Sequence, residues 1–330
     1  MGKMRGLNYV FKKYTGGLRN LKMVYVINNW LNADKLSHNK EIYRRYGLKK
    51  SIFAPIGSQV FKGREETPVW TMRDGADRWT PEREAEFVQF SSPLQEKIKH
   101  FLEEGFLVLE GFFDEQEVQA MRNELDVRAT NLESHTNYTG KKIPDIHLES
   151  KVIREKFTEN PEILRLLTFL LGKRAIPFQS IGFYEGSEQR AHSDYIHMST
   201  FPDGYLIAAW VALEPCGPEN GQLFYYPKSQ RLPIIRKYNY DNGINSWSTG
   251  KTDYVDYENV LEKQLQESDL EKVFWPAQPG DLLIWNAHFV HGGSPIQIKG
   301  KSRRSVVSHY FGEGVICYHD ITQRPALLRF

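Results

Sequence analysis

Apolar residues change their spacing partway along this chain. Between Ser92 and Leu171 they recur every three to four residues, and after Ala175 they fall into short runs rich in β-branched and aromatic side chains. Ser92-Pro93 predicts a helix start with proline near the first turn, an amphipathic run to Glu104, and a stop at Gly105. Phe106–Leu109 reads as a short strand. Asp114 caps a second helix through Leu125, and Glu117 completes a capping box. A third helix is expected from Asn160-Pro161 to Leu171, closed by Gly172. The later runs, Gln179–Tyr184, Leu206–Leu213, Gln222–Tyr226, Leu282–Trp285 and Ser305–Phe311, are parted by Gly, Pro and Asn turns and predict strands. Many short strands after a helical start imply a mainly β protein, an antiparallel sandwich or barrel with helices flanking it.

Two stretches break this rhythm. In residues 1–90, Leu18, Leu21, Tyr25 and Trp30-Leu31 suggest one amphipathic helix, and Lys40 to Lys50 a second, shorter one. Ser51 to Phe90 is interrupted by Pro and Gly and reads as an irregular segment crossing a surface, with Trp70 and Trp79 packing on something. Residues 1–90 are therefore expected to be an extension packed on a main domain of residues 91–330. Arg236 to Lys272 is polar and turn-rich with one helix, Glu258–Gln266, so this insertion at 236–272 is either a lid or a surface excursion.

Composition narrows the class. At 40% hydrophobic and 25% charged, the 330 residues have the profile of an ordinary globular protein. The net charge of +2 hides an asymmetry, because residues 1–50 carry twelve Lys/Arg against two acids and the remainder is net negative. Such a basic stretch can serve nucleic acid, an anionic membrane or an acidic substrate. Docking on the chain's own acidic body is the simpler reading, and nucleic acid is not expected as a partner. Cys216 and Cys317 are too few and too far apart for a disulfide framework or a thiolate zinc site. No apolar run reaches the length of a membrane span, and the N-terminus lacks the pattern of a signal peptide. A reducing, cytoplasmic setting is expected.

The candidate chemistry starts at His192-Ser-Asp194. In extended backbone, alternate side chains share a side, so this pair presents an imidazole and a carboxylate together. The spacing alone is weak evidence, since ten His and forty-one acids produce roughly one His-x-(Asp/Glu) by chance. A twin exists at His147-Leu-Glu149, expected at the surface. Non-haem iron sites use two imidazoles and one carboxylate on one face of the metal. A third ligand is available at His288 or His291, in Gly280-Asp-Leu-Leu-Ile-Trp-Asn-Ala-His-Phe-Val-His-Gly-Gly293. Arg303 and Arg304 follow, and a planar guanidinium holds a carboxylate bidentately.

In this order and spacing the chain resembles the phytanoyl-CoA dioxygenase family of Fe(II)/2-oxoglutarate-dependent oxygenases. The resemblance runs from about Phe101 to Phe311. It is carried by Glu104-Gly-Phe-Leu-Val-Leu-Glu-Gly-Phe-Phe-Asp114, His192-Ser-Asp194, Trp210 in Ala-Trp-Val-Ala-Leu213, Glu219-Asn-Gly221 and Tyr226-Pro-Lys-Ser-Gln230. Pro279-Gly-Asp-Leu-Leu-Ile284, His291-Gly-Gly and Arg303-Arg-Ser-Val-Val-Ser-His309 complete it. Gln230 and Lys228 depart from the family's Pro-Gly-Ser-His turn, and residues 1–90 have no counterpart in it. The resemblance implies a double-stranded β-helix (jelly-roll, cupin-like) core. It selects His291 over His288 as the distal ligand, making His192, Asp194 and His291 the metal and catalytic residues. It places the 2-oxoglutarate arginine at Arg303, with Ser305 beside it and Trp210 near the cosubstrate. Fe(II), 2-oxoglutarate and O₂ follow as cofactors. An aspartate at Asp194, where halogenating relatives have a small residue, points to hydroxylation or another oxidative outcome.

Other polar residues have competing readings. Gln179, Phe183 and Tyr184 precede the motif on a strand that either lines the pocket, with Gln179 as a cosubstrate contact, or packs in the core. His197 faces a substrate or sits in a loop. His288 is a packed neighbour of the site, His309 a core histidine with a satisfied hydrogen bond, and Arg304 a solvated strand residue. The expected substrate is a small molecule such as a secondary metabolite, amino acid or acyl thioester. A cupin-like metal-dependent isomerase or small-molecule binding protein is the rival class, and it leaves Arg303 without a task. A third reading gives the basic N-terminus a macromolecular substrate or a tether.

Overall fold

A computed structural model describes residues 21–64, 80–130, 142–245, 247–250 and 254–328. Trp70 and Trp79 lie outside the described residues. The three helices between Ser92 and Leu171 start and stop close to their sequence signals, at Ser92–Glu104, Glu115–Thr130 and Pro161–Leu171. Gly105 ends the first in a left-handed conformation, φ 88°, which glycine adopts without steric cost. Asp114 Oδ1 accepts from the Glu117 N–H at 2.8 Å, and Glu117 Oε2 accepts from the Asp114 N–H at 3.4 Å, closing the capping box. The second helix continues past Leu125 to Thr130. Asn160 Oδ1 caps the third through the N–H groups of Glu162 and Ile163.

The strands are β1 (Phe106–Leu109), β2 (Lys142–Pro144), β3 (Ala175–Phe183), β4 (Ser199–Phe201), β5 (Leu206–Ala212) and β6 (Leu223–Tyr225). They continue with β7 (Val273–Trp275), β8 (Leu282–Asn286), β9 (His291–Gly293), β10 (Ser305–Gly312), β11 (Ile316–His319) and β12 (Arg324–Pro325). A six-stranded sheet has the order β1-β8-β5-β10-β3-β2, and two three-stranded sheets have the orders β7-β6-β9 and β12-β11-β4. The paired strands are antiparallel. This is a mainly β jelly-roll core with flanking helices.

The period-two rule explains why the central strands are apolar on both faces. Ile207, Ala209 and Val211 of β5 join Leu282, Ile284 and Val306 in the core under the helices. Ala208, Trp210 and Ala212 alternate with them and join Leu283, Trp285 and Val307 in the interior core. A fully buried side chain of this size contributes about 1.5–3 kcal/mol, so the helical layer is a main source of stability for the sheet. The inward parity also carries Trp210, Trp285 and Val307 toward one cavity.

The N-terminal segment packs on the third sheet. Leu36, Tyr43, Ile52, Ile56 and Phe61 share a core with Phe201 of β4 and Ile316 and Tyr318 of β11. Buried Asp320 accepts from both Ser58 N and Ser58 Oγ, at 2.7 and 2.8 Å. The first predicted helix forms at Lys22–Leu31, but none of its apolar positions is fully buried and several are exposed. Trp30 is 66% exposed and Leu31 42%, whereas Asn29 is buried, its Nδ2 donating to Phe53 O at 3.0 Å. What the helix packs against there offers a backbone carbonyl, which selects the amide for the inside.

The 236–272 segment contains a helix at Tyr254–Gln266, one turn longer at its start than its apolar spacing predicts. Tyr257, Leu261 and Leu265 are buried in a cluster with Ile196 and Val290. This helix is therefore joined to the segment that bears His192 and Asp194. Among the described residues no helix is long and apolar enough to cross a membrane. Cys216 and Cys317 are buried free thiols.

Candidate functional site

His192 and His291 meet as an antiparallel pair: each backbone N–H donates to the other's carbonyl at 2.9 Å. Their rings lie 4.5 Å apart. Each ring has its Nδ1 beside the carbonyl two residues earlier, His192 at 2.9 Å from Arg190 O and His291 at 3.2 Å from Phe289 O. With Nδ1 protonated and donating, both Nε2 lone pairs are free to face a common point. Asp194 Oδ1 lies 3.9 Å from each Nε2. Donor atoms of the three residues fall within 4.8 Å of one another, a grouping that can hold a metal ion.

The carboxylate segment is braced from outside the cluster. Ser193 N donates to Tyr257 Oη at 3.0 Å, and Ser193 Oγ lies 3.0 Å from the same oxygen. Arg190 Nη1 reaches Glu258 at 3.0 Å on the same helix. Trp285 Nε1 donates to Asp194 Oδ2 at 2.8 Å, and His309 Nε2 is 3.5 Å from that oxygen. The glycines after His291 allow close packing: a Cβ at Gly293 would lie 2.3 Å from Ser187 Oγ, and one at Gly292 2.7 Å from Gln189 O.

Protonation favours ligation. Burial, with His291 adding to it, lowers the pKa of His192 to about 3, and burial also lowers that of His291. Both imidazoles are neutral near pH 7 and do not need to lose a proton to bind metal. Burial opposes ionisation of Asp194, but His291, His309 and His192 hold its carboxyl well below the usual carboxylate range.

Away from the triad, burial lowers His288 to about 3, with Arg236 contributing, and lowers His319 to about 3, with Arg324 contributing. An unfolded histidine titrates near 6.5, so the folded state binds fewer protons below that pH. The stability these residues contribute is present above pH 6.5 and is lost as pH falls toward about 3, at most about 1.4 kcal/mol per pH unit for each. The melting temperature of metal-free protein should fall steadily below pH 6, and His288→Gln should reduce that slope.

A cavity of about 80 Å³ opens on the triad, and Trp210, Trp285, Arg303 and Val307 line it. Arg303 is 1% exposed. Its Nη1 donates to Gly221 O at 2.8 Å, its Nε has no partner, and among the described residues it forms no ion pair. Its guanidinium lies 5.8 Å from the Phe183 ring and 6.0 Å from that of Trp210. Ser305 Oγ and Trp210 Nε1 are also buried without partners. A buried cation and unsatisfied donors are costly unless something pairs with them. They fit the carboxylate of a cosubstrate.

An open cleft of about 430 Å³ lies beside this cavity and shares Gln189 with it. Glu258, Glu262 and Leu265 form one wall, and Phe224 and Tyr226 belong to another.

Several sequence expectations are corrected here. His147 is buried, not superficial, because its short helix packs on β3 and Nδ1 lies 2.6 Å from Ser180 Oγ. It remains apart from the triad. Arg304 is not a solvated residue: it is ion-paired with Glu214 and Asp126 and donates to Tyr184 Oη. Gln179 shares a strand face with Ile181 and Phe183, but those two line the cavity and Gln179 does not. It sits at the centre of β3, paired with cavity-lining His309 just before the β-bulge. His309 Nδ1 has no partner, so this histidine is not fully satisfied. His288 is packed, its ring 4.6 Å from that of Tyr195, and His197 stacks near Tyr254 at 4.7 Å. Trp285 carries a contact that motif reading missed. Its inward parity with Leu283 was the available signal.

The family description Phytanoyl-CoA dioxygenase (PhyH) matches residues 101–305. The peroxisomal phytanoyl-CoA dioxygenase of Bos taurus is 23% identical over 254 residues, covering 68% of this chain and 70% of its own. Among solved structures, EctD from S. alaskensis with 2-oxoglutarate and 5-hydroxyectoine aligns with a TM-score of 0.57 at 18% identity, over 81% of this chain and 89% of that one. The non-heme alpha ketoglutarate dependent epimerase SnoN from nogalamycin biosynthesis aligns at 0.52 and 19% identity, over 68% of this chain and 85% of that one. The chain belongs to the phytanoyl-CoA dioxygenase family of iron- and 2-oxoglutarate-dependent oxygenases, with O₂ as the further cosubstrate.

Proposed function

We propose that this protein hydroxylates a small molecule, with His192, Asp194 and His291 as the iron ligands and Arg303 as the anchor for 2-oxoglutarate. Arg303 is the observation that carries the reading. Its buried guanidinium, without an ion pair among the described residues, opens on the same cavity as the triad. Trp210 Nε1, buried without a partner, supplies a further donor there, and the buried Ser305 Oγ two residues beyond Arg303 is likewise unpartnered. A structural or purely binding role leaves this cation uncompensated.

Bound iron with 2-oxoglutarate and O₂ supplies the oxidant, releasing succinate and CO₂. The chain holds and orients. Neutral imidazoles and an ionised carboxylate offer three donors on one side, leaving the other side for exchangeable ligands. Trp210, Phe183 and Val307 exclude water around Arg303, which strengthens its attraction for a carboxylate. The adjoining cleft, too large for the cosubstrate's needs, is assigned to the primary substrate, and the Tyr254–Gln266 helix shapes one side of it. An aspartate at position 194 supports hydroxylation over halogenation. The buried free thiols suit a reducing compartment such as the cytoplasm.

The test is succinate formation by purified protein given Fe(II), 2-oxoglutarate and O₂, with and without candidate substrates. Wild type should form succinate slowly even without a substrate, and His192→Ala should form none above background. Equal yields from the two proteins would refute the assignment in favour of a binding module.

A further inference from the structure

The two oxygens of Asp194 are held differently. Oδ1 faces both His Nε2 atoms at 3.9 Å. Oδ2 is turned the other way, accepts the Trp285 indole N–H at 2.8 Å, and has His309 Nε2 at 3.5 Å. Trp285 is itself fixed. It lies on central strand β8, opposite Phe106 of β1 and Ala208 of β5, is buried, and its ring sits 4.7 Å from that of His291. An indole has one N–H and no acceptor, so this contact has one possible polarity.

We propose that Trp285 is a positioning residue that keeps Asp194 a one-oxygen ligand. This inference rests on the reading of His192, Asp194 and His291 as the metal ligands. A carboxylate has two oxygens that can both bind one metal, and doing so would occupy a coordination position that 2-oxoglutarate or O₂ requires. The hydrogen bond from Trp285 takes Oδ2 out of that competition and draws charge away from the carboxylate. Because it comes from a rigid ring on a sheet strand, it also fixes the carboxylate's rotation. Ser193, tied to Tyr257, fixes the same residue through the backbone. Partners of metal ligands typically change metal affinity or activity 10- to 100-fold when removed.

Trp285→Phe removes the N–H and retains an aromatic ring. Co(II) replaces iron as the spectroscopic probe, since its visible d–d bands report coordination number without turnover. The variant should show altered d–d bands, Co(II) and Fe(II) binding weakened about 10- to 100-fold, and more 2-oxoglutarate consumed per product formed. Its metal-free protein should melt somewhat lower than wild type, as loss of one buried hydrogen bond and a smaller buried ring requires, while remaining folded. Wild-type d–d bands and metal affinity in a folded Trp285→Phe protein would overturn the inference while leaving the triad intact. Failure of wild type itself to bind Co(II) would instead refute the triad.

If Trp285→Phe does not fold, the indole N–H resonances of zinc-loaded wild-type protein decide. The buried indoles Trp210 and Trp285 can be told apart with Trp210→Phe. A Trp285 proton that is shifted downfield, exchanges slowly and responds to zinc supports the bond. One that is insensitive to zinc and exchanges like an exposed indole overturns it.

Discussion

Arg303→Gln should raise the KM for 2-oxoglutarate about 100- to 1,000-fold, with a smaller fall in kcat at saturation. Arg303 is fully inside the protein, has no carboxylate partner among the described residues, and lies with Trp210 on the cavity beside the triad. Removing one partner of a buried charge pair costs about 2–5 kcal/mol, which spans that range. Glutamine retains a polar amide, whose nitrogen ends two bonds short of the Nη1 that donates to Gly221 O. The substitution also removes a buried cation that is unpaired in the ligand-free protein. Metal-free Arg303→Gln should therefore melt no lower than wild type, a sign opposite to that of most core substitutions. Steady-state succinate formation and a thermal melt check both statements. A KM within threefold of wild type would remove Arg303 from the cosubstrate site.

Asp194→Ala should abolish turnover, to below about 0.1% of wild type, and weaken Fe(II) binding by more than the 10- to 100-fold that partners of ligands contribute. Two neutral imidazoles remain, without the negative charge that balances a divalent cation. The substitution leaves Trp285 Nε1 without its acceptor in a buried setting, a penalty of about 1–3 kcal/mol. The metal-free variant should thus melt somewhat lower, and added Fe(II) should no longer raise its melting temperature. In wild type, Fe(II) should raise it, because ligand binding to the folded state stabilises by mass action.

The helices and central strands were legible because local signals agreed with their surroundings. Asp114 with Glu117, Gly105 and Gly172 mark ends that need no tertiary contact. The Lys22–Leu31 helix shows the limit. Its existence followed from spacing, but which side packs depended on Phe53 O, a partner that spacing cannot specify. His147 was misplaced for a related reason, since a Ser180 hydroxyl on another element satisfies it inside the protein. Arg304 likewise found Glu214 and Asp126 from distant parts of the chain.

At the site, the three donors were readable from motif order, and the structure brings them into one group. The strand alternation also put Ser305 and Arg303 on one face. The orientation of Asp194 was not readable, because it is set by an indole ninety-one residues away across the sheet. Nor was the insertion helix's contact with Ser193, which depends on how the 236–272 segment returns to the core.

The most direct test of the iron and 2-oxoglutarate assignment is an anaerobic titration of metal-free protein with Fe(II) and then 2-oxoglutarate, followed in the visible. Chelation of 2-oxoglutarate at iron held by His192, Asp194 and His291 should produce a weak charge-transfer band that saturates at one equivalent. The band should be absent in His192→Ala and should require far more 2-oxoglutarate in Arg303→Gln. No band in wild type, or the same band in His192→Ala, would contradict the assignment.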